Sequence, residues 1–237
     1  MPPIPRPIRF FCNRLLRTWM FPHYFGQFLR LIQAGQVPDS RLYSQLVVTW
    51  GNKYYSADTK YLQCCVSQVK SGSGPILECG SGLSTLVLGA VASVSGRKLY
   101  SLEHHAGWRD NVHTALNRFG LNSVVHLPPT RLISYGDYSW YDVSALNIPA
   151  GLTLVICDAP PHSTHGGRSG LLPVMRHKFA PECRVLMDDG IRQAEQDIVR
   201  KWVAAFGGTV TEDLTGKGIL VYQPSGSASG ELPVVQE

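Results

Sequence analysis

The sequence lacks a hydrophobic run able to cross a bilayer. Thr18 to Leu29 is uncharged but broken by Pro22, His23, Gly26 and Gln27, and the longest uncharged run, Cys79 to Gly96, is full of Gly and Ser. No CxxC occurs among its six cysteines, Cys12, Cys64, Cys65, Cys79, Cys157 and Cys183. They read as reduced thiols of a cytoplasmic protein, two of them inside apolar runs, with a Cys64–Cys65 redox pair as the alternative. Acid is almost missing from residues 1–41, where Asp39 faces Arg6, Arg9, Arg14, Arg17, Arg30 and Arg41. The net charge of +5 therefore belongs to that segment, and the remaining chain is balanced. Positions 42–237 carry no cluster of Lys or Arg, which argues against a nucleic-acid partner. There is no internal repeat. With 237 residues, 44% hydrophobic and only 16% charged, the chain is long and apolar enough for one domain with a sizeable core, and disorder is excluded.

Residues 1–7 hold four prolines and read as a loose arm. From Ile8 to Ala34 apolar residues recur at helical spacing, with Pro22 dividing the stretch into two helices and arginines interleaved among aromatics. Two readings stand for residues 8–34: an amphipathic surface for an anionic membrane or a protein, making the protein peripheral to a membrane, or an accessory cap with its arginines in solvent. A homodimer is compatible with either.

After a helix start at Ser56–Thr59 the chain alternates between apolar runs and helical stretches. Strands are predicted at 75–78, 98–103, 124–127, 152–158 and 184–188, and helices at 60–70, on to Val94, 108–119, 170–179 and 191–206. Two further strands, 208–213 and 218–222, close the pattern without a helix between them. This implies an α/β fold, a Rossmann-like doubly wound sheet of seven strands, mostly parallel, with an antiparallel C-terminal hairpin and N-terminal helices. The expected organisation is a basic arm and helical cap at 1–55, a cofactor domain at 56–223 and a disordered tail at 224–237.

Open parallel sheets bind ligands at the carboxyl ends of their strands. Four predicted ends carry acids: Glu78-Cys-Gly80-Ser81-Gly82-Leu-Ser84-Thr85, Glu103-His104, Asp158-Ala-Pro-Pro-His162 and Asp188-Asp189-Gly. A GxG turn alone is common to many nucleotide folds. Here an acid precedes it by two residues and the third glycine of GxGxxG is missing, features ill suited to a pyrophosphate but suited to a ligand with an ammonium group. On these residues the segment from about 55 to 222 resembles the class I S-adenosylmethionine-dependent methyltransferases.

The resemblance implies cofactor contacts from Gly80 and Gly82 by backbone approach, from Ser81, Ser84 and Thr85 to a carboxylate, and from Glu78 to an amino group. It implies that Glu103 accepts the ribose hydroxyls, that His104 or Trp108 packs near the adenine, and that Asp158 points into the crevice. Asp158, Asp188 and Asp189 also resemble the Mg²⁺ ligands of catechol-type O-methyltransferases, with Asp189 where that group has Asn. The Asp-Ala-Pro-Pro and Asp-Asp-x-x-Arg segments resemble instead small bacterial methyltransferases in which Arg192 would pair with Asp188, Asp189 or Glu195 without metal. Asp158, Asp189, His162 and His165 are the candidates for handling the acceptor's proton, and Arg168 for an anionic substrate group. The loops at 128–150 and 159–169 would complete a substrate site, with Tyr135, Tyr138, Trp140 and Tyr141 either flanking a ring or buried in the core. The expected activity is methyl transfer to a hydroxyl oxygen of a natural product or sugar. An NAD(P)-dependent oxidoreductase and a non-catalytic cofactor-binding module remain as alternatives.

Overall fold

The computed structural model describes residues 16–51 and 57–225. The loose arm, Cys12, the periodicity before Leu16, Ser56 of the helix start and the tail beyond 225 lie outside the described residues.

The main sheet has seven strands in the order β3-β2-β1-β6-β7-β9-β8. They are β1 (Ile76–Cys79), β2 (Leu99–Leu102), β3 (Val125–His126), β6 (Leu152–Cys157), β7 (Phe179–Met187), β8 (Thr209–Asp213) and β9 (Ile219–Gln223). All run in one direction except β9, which is antiparallel to both β7 and β8. The expected sheet and its closing hairpin are present. A separate hairpin, β4 (Leu132–Ser134) with β5 (Ser139–Tyr141), lies where the sequence suggested loops.

Side chains on the central strands alternate between two cores, as a period of two requires. Ile76, Leu99, Leu154, Ile156 and Leu186 face one side, packed against α3 (Thr59–Ser71) and α4 (Leu83–Val94). Leu77, Cys79, Val155, Cys157, Val185 and Met187 face the other, with α6 (Leu171–Met175) and α7 (Gln193–Phe206). The five described cysteines are free thiols, and all but half-buried Cys64 are buried. Helix α5 (Ala106–Arg118) connects β2 to β3. Trp140 and Tyr141 belong to the second core, whereas Tyr135 and Tyr138 stack on each other at 5.6 Å nearer the surface.

The N-terminal helices join the first core rather than lie across the crevice. Pro22 marks the junction of two helical elements, a π-helical turn at Leu16–Met20 and α1 (Phe21–Gln33), in whose first turn its missing N–H is harmless. Helix α2 (Ser40–Trp50) was not evident from the sequence pattern. Its start is fixed by Asp39, whose Oδ1 accepts from the Leu42 N–H at 2.8 Å, and its end by Gly51 in the left-handed region. Phe21, Phe25, Phe28, Tyr43 and Trp50 form one aromatic group with Phe119. Trp50 extends it to Trp108, at 6.0 Å between ring centroids.

Candidate active site

An open cleft of about 530 Å³ lies at the carboxyl ends of β1, β2 and β6. Gly80, Ser81, Gly82, Leu83 and Ser84 form one wall, Glu103, His104, His105 and Trp108 a second, and Asp158, Ala159 and Pro161 the third. The sequence motifs therefore converge on one hollow, with His105, Leu83, Ala159 and Pro161 as additional lining. Leu83, Ala159 and Pro161 sit inside the quoted motifs without having been assigned a role there, and His105 directly follows one.

The glycine turn is held rigidly. Gly80 has φ +96, and a Cβ there would lie 2.5 Å from the Ala159 Cβ, so only glycine lets β1 and β6 end this close together. Glu103 accepts from the Ser81 N–H and hydroxyl at 3.1 Å each and from the His105 N–H at 2.8 Å. The Trp108 indole donates to the Ser81 carbonyl at 2.7 Å. Thus the second strand's acid and the following helix clamp the turn from outside. Glu103 retains acceptor capacity, because a carboxylate offers about four lone-pair sites and three are used.

Glu78, expected near an amino group directly or through water, lies beneath the turn. It shares the parity of Ile76, so its carboxylate turns toward α4 beneath the turn, fully buried and off the cleft wall. Thr85 and Ser101 donate to its Oε2 at 2.6 Å each, and the Thr85 hydroxyl accepts from the Gly82 N–H at 2.8 Å. Thr85 therefore links Glu78 to the turn and does not line the cleft. Burial raises the Glu78 pKa to about 7 against the lowering effect of the Ser101, Ser84 and Thr85 hydroxyls. Ser84 is the first-turn hydroxyl that reaches the hollow, at the positive end of the α4 dipole.

Behind Asp158 lies a buried charge network that joins the expected Arg192 pairing to a second arginine, Arg168, that the sequence did not place there. Arg168, 2% exposed, inserts from the 159–170 loop and does not face solvent or an anionic ligand. Its Nη2 is 3.2 Å from Asp158 Oδ1 and 3.1 Å from Asp189 Oδ2, and it donates to the Asp158 and Asp188 carbonyls at 2.9 and 2.5 Å. Glu195 is 3.9 Å from its Nε, and Arg192 reaches Asp189 at 2.8 Å and Glu195 at 3.8 Å. The loop can bring Arg168 inward because Gly166 adopts φ +72 hard against Tyr138, where a Cβ would come within 2.5 Å. The sequence signal was indirect: Asp158, Asp188 and Asp189 at two strand ends need counter-cations, and Arg168 and Arg192 follow those ends closely in the chain.

Both oxygens of Asp188 are buried without a hydrogen-bond partner. Burial, followed by the charges of Asp158 and Asp189, raises its pKa to about 8. Asp158, which lines the cleft, is raised to about 6 by burial, opposed by Arg168. His162 and His165 are exposed on the turn-rich loop and neither lines the cleft.

The sequence matches no protein-family model and no curated protein. The fold does have solved counterparts. The SAH-bound methyltransferase PaMTH1 of Podospora anserina superposes with a TM-score of 0.59 at 12% identity, covering 95% of this chain and 98% of that one. An O-methyltransferase from Bacillus cereus in complex with SAH gives 0.57 at 14% identity, over 86% of this chain and 100% of that one. A methyltransferase from Geobacter sulfurreducens gives 0.57 at 10% identity, over 81% and 93%. The architecture is a Rossmann-like fold shared with these methyltransferase structures.

Proposed function

We propose that the cleft binds S-adenosylmethionine and that the protein transfers its methyl group to a hydroxyl oxygen of a small-molecule acceptor. One observation carries this reading: the clamped glycine turn, the helix N-terminus, the Glu103 carboxylate and Asp158 all border one hollow. The fold shared with two SAH-bound methyltransferases supports it. In this reading Glu103 accepts the ribose hydroxyls, and Ser81, Ser84 and the first turn of α4 receive the amino-acid carboxylate. Gly80 and Gly82 let the backbone come close, and His104 and Trp108 lie where the adenine would pack. Glu78 acts as a support for the turn through Thr85 and has no ligand contact.

The cofactor supplies an electrophilic methyl on a sulfonium. As the carbon–oxygen bond forms and the sulfur–carbon bond breaks, the acceptor's proton passes to Asp158, whose pKa of about 6 leaves it ionised at neutral pH. Asp158 is preferred to His162 and His165 because it lies on the cleft wall and they do not.

A divalent ion of the catechol type would rest on Asp158, Asp188 and Asp189, whose oxygens come within 4.8 Å of one another. These residues do not fit that role. Arg168 already stands between Asp158 and Asp189, and Arg192 takes the same Asp189 oxygen. The cluster is read as a guanidinium-neutralised scaffold that aims Asp158, and no step is assigned to a metal.

The test is SAH release from S-adenosylmethionine over a panel of hydroxylated acceptors, with and without chelator. Turnover on a member of the panel, undiminished by EDTA, is expected. Cofactor affinity without turnover on any acceptor would favour a binding module, and activity that EDTA abolishes and Mg²⁺ restores would return the metal.

A further inference from the structure

The end of the molecule that opens the cleft also carries exposed apolar side chains and the junction with the basic arm. Trp19 is 74% and Met20 44% exposed, in the π-helical turn that packs against α2, where Val48 is 59% exposed. Just inward, Phe21 rests on Trp50 at 5.0 Å and Trp50 on Trp108, a wall of the cleft. The exposed patch is therefore two aromatic layers from the cleft mouth. Residues 1–15, which lead into it, contribute Arg6, Arg9 and Arg14 and no acid, interleaved with Phe10 and Phe11. The excess positive charge of the whole chain is thus joined to its most exposed tryptophan.

We propose that this end docks on an anionic lipid bilayer, with the exposed Trp19 and Met20 at the headgroup boundary and the acid-free, arginine-rich sequence of residues 1–17 supplying the positive charge that draws the protein to anionic headgroups. The cleft mouth is then held close to the membrane surface. Tryptophan beside an apolar residue, next to cationic side chains, suits the interface of a bilayer. No described helix is long and apolar enough to cross a membrane, so what the described residues offer a bilayer is a surface contact. Three exposed apolar side chains are far less than the ~1,000 Å² a stable protein interface needs, which favours lipid over a protein partner. The proposal does not depend on the methyl-transfer reading.

The test is co-sedimentation of the full-length protein with phosphatidylcholine vesicles, alone or mixed with phosphatidylglycerol. Binding is expected to the mixed vesicles only, with release at about 0.5 M salt. Trp19→Ser combined with Met20→Ser should weaken it about tenfold, and Arg9→Gln, Arg14→Gln and Arg17→Gln together roughly 100-fold. Because Trp50, Trp140 and Trp202 are buried, brominated lipid should quench emission in the wild type and much less in Trp19→Phe, which keeps an aromatic ring at the surface. Thermal melting of the variants, at exposed or terminal positions, should match the wild type. Absent binding, equal binding to neutral vesicles, or full binding by the Trp19/Met20 variant would overturn the proposal and leave the patch to a protein partner.

Discussion

Replacing Arg168 with Met should destabilise the protein severely, and more so at alkaline pH. The guanidinium sits 3.1–3.2 Å from two carboxylates and within 3.9 Å of a third, in a site it shares with almost no solvent. At an effective dielectric constant near 20, each close contact contributes about 5 kcal/mol of gross attraction, most of it offset by desolvation. The net cost of leaving the carboxylates without their partner is about 3–5 kcal/mol. For a chain of this size that corresponds to a fall in Tm of roughly 10 °C. The pH dependence follows from linkage. Without Arg168, which holds it down, the folded-state pKa of Asp158, already raised to about 6 by burial, moves further above its unfolded value. The folded state then holds protons that the unfolded state has released, so stability falls as pH rises through that window. The deficit should be smallest near pH 5 and largest near pH 8, read by urea unfolding at both. A loss under about 1 kcal/mol, or one independent of pH, would refute the network. Wild-type Tm should not move in EDTA, and a drop would mean that a metal holds the carboxylates.

Asp158→Asn should reduce turnover by about 10²–10⁴-fold while SAH affinity changes less than about threefold. The wild-type rate should fall as pH drops below about 6, when Asp158 takes up a proton; His162→Ala and His165→Ala should retain full activity in the same assay. Gly80→Ala places a methyl against Ala159 at a φ of +96 and should lower SAH affinity at least about tenfold by calorimetry, with the circular dichroism spectrum unchanged. Asp188→Asn keeps the shape of a buried acid whose pKa of about 8 makes ionisation costly, so the variant should equal the wild type near pH 4 and gain on it steadily up to about pH 8, where the advantage levels off. Equal destabilisation at both pH values would show that Asp188 is held as a carboxylate.

The alternating sheet and most of the cleft were legible in the sequence because they depend on local signals. Apolar runs ending in Glu78, Glu103, Asp158 and Asp188 mark both the strands and the edge where they stop. Parity was the first thing such signals could not reveal: β1 extends to Cys79, and with Ile76 in the first core Glu78 must turn beneath the helix. Helix α2 was signalled by Asp39 followed by Leu42, Leu46 and Trp50, but the hydrophilic Ser40, Arg41, Ser44 and Gln45 mask the stripe. The β4–β5 hairpin is too short, at three residues a strand, to show its alternation. The burial of Arg168 was out of reach because a lone arginine on a glycine-rich loop over the crevice reads as a group for an anionic substrate. Only the folded loop, seated on Tyr138, turns it inward.

Titration calorimetry with S-adenosylhomocysteine, on the wild type and Glu103→Ala, tests the central claim most directly. The account predicts binding by the wild type, a loss of ~1–3 kcal/mol in the variant through missing charge-assisted hydrogen bonds, and no heat with NAD. No binding of S-adenosylhomocysteine, equal affinity in the variant, or binding of NAD in its place would contradict it.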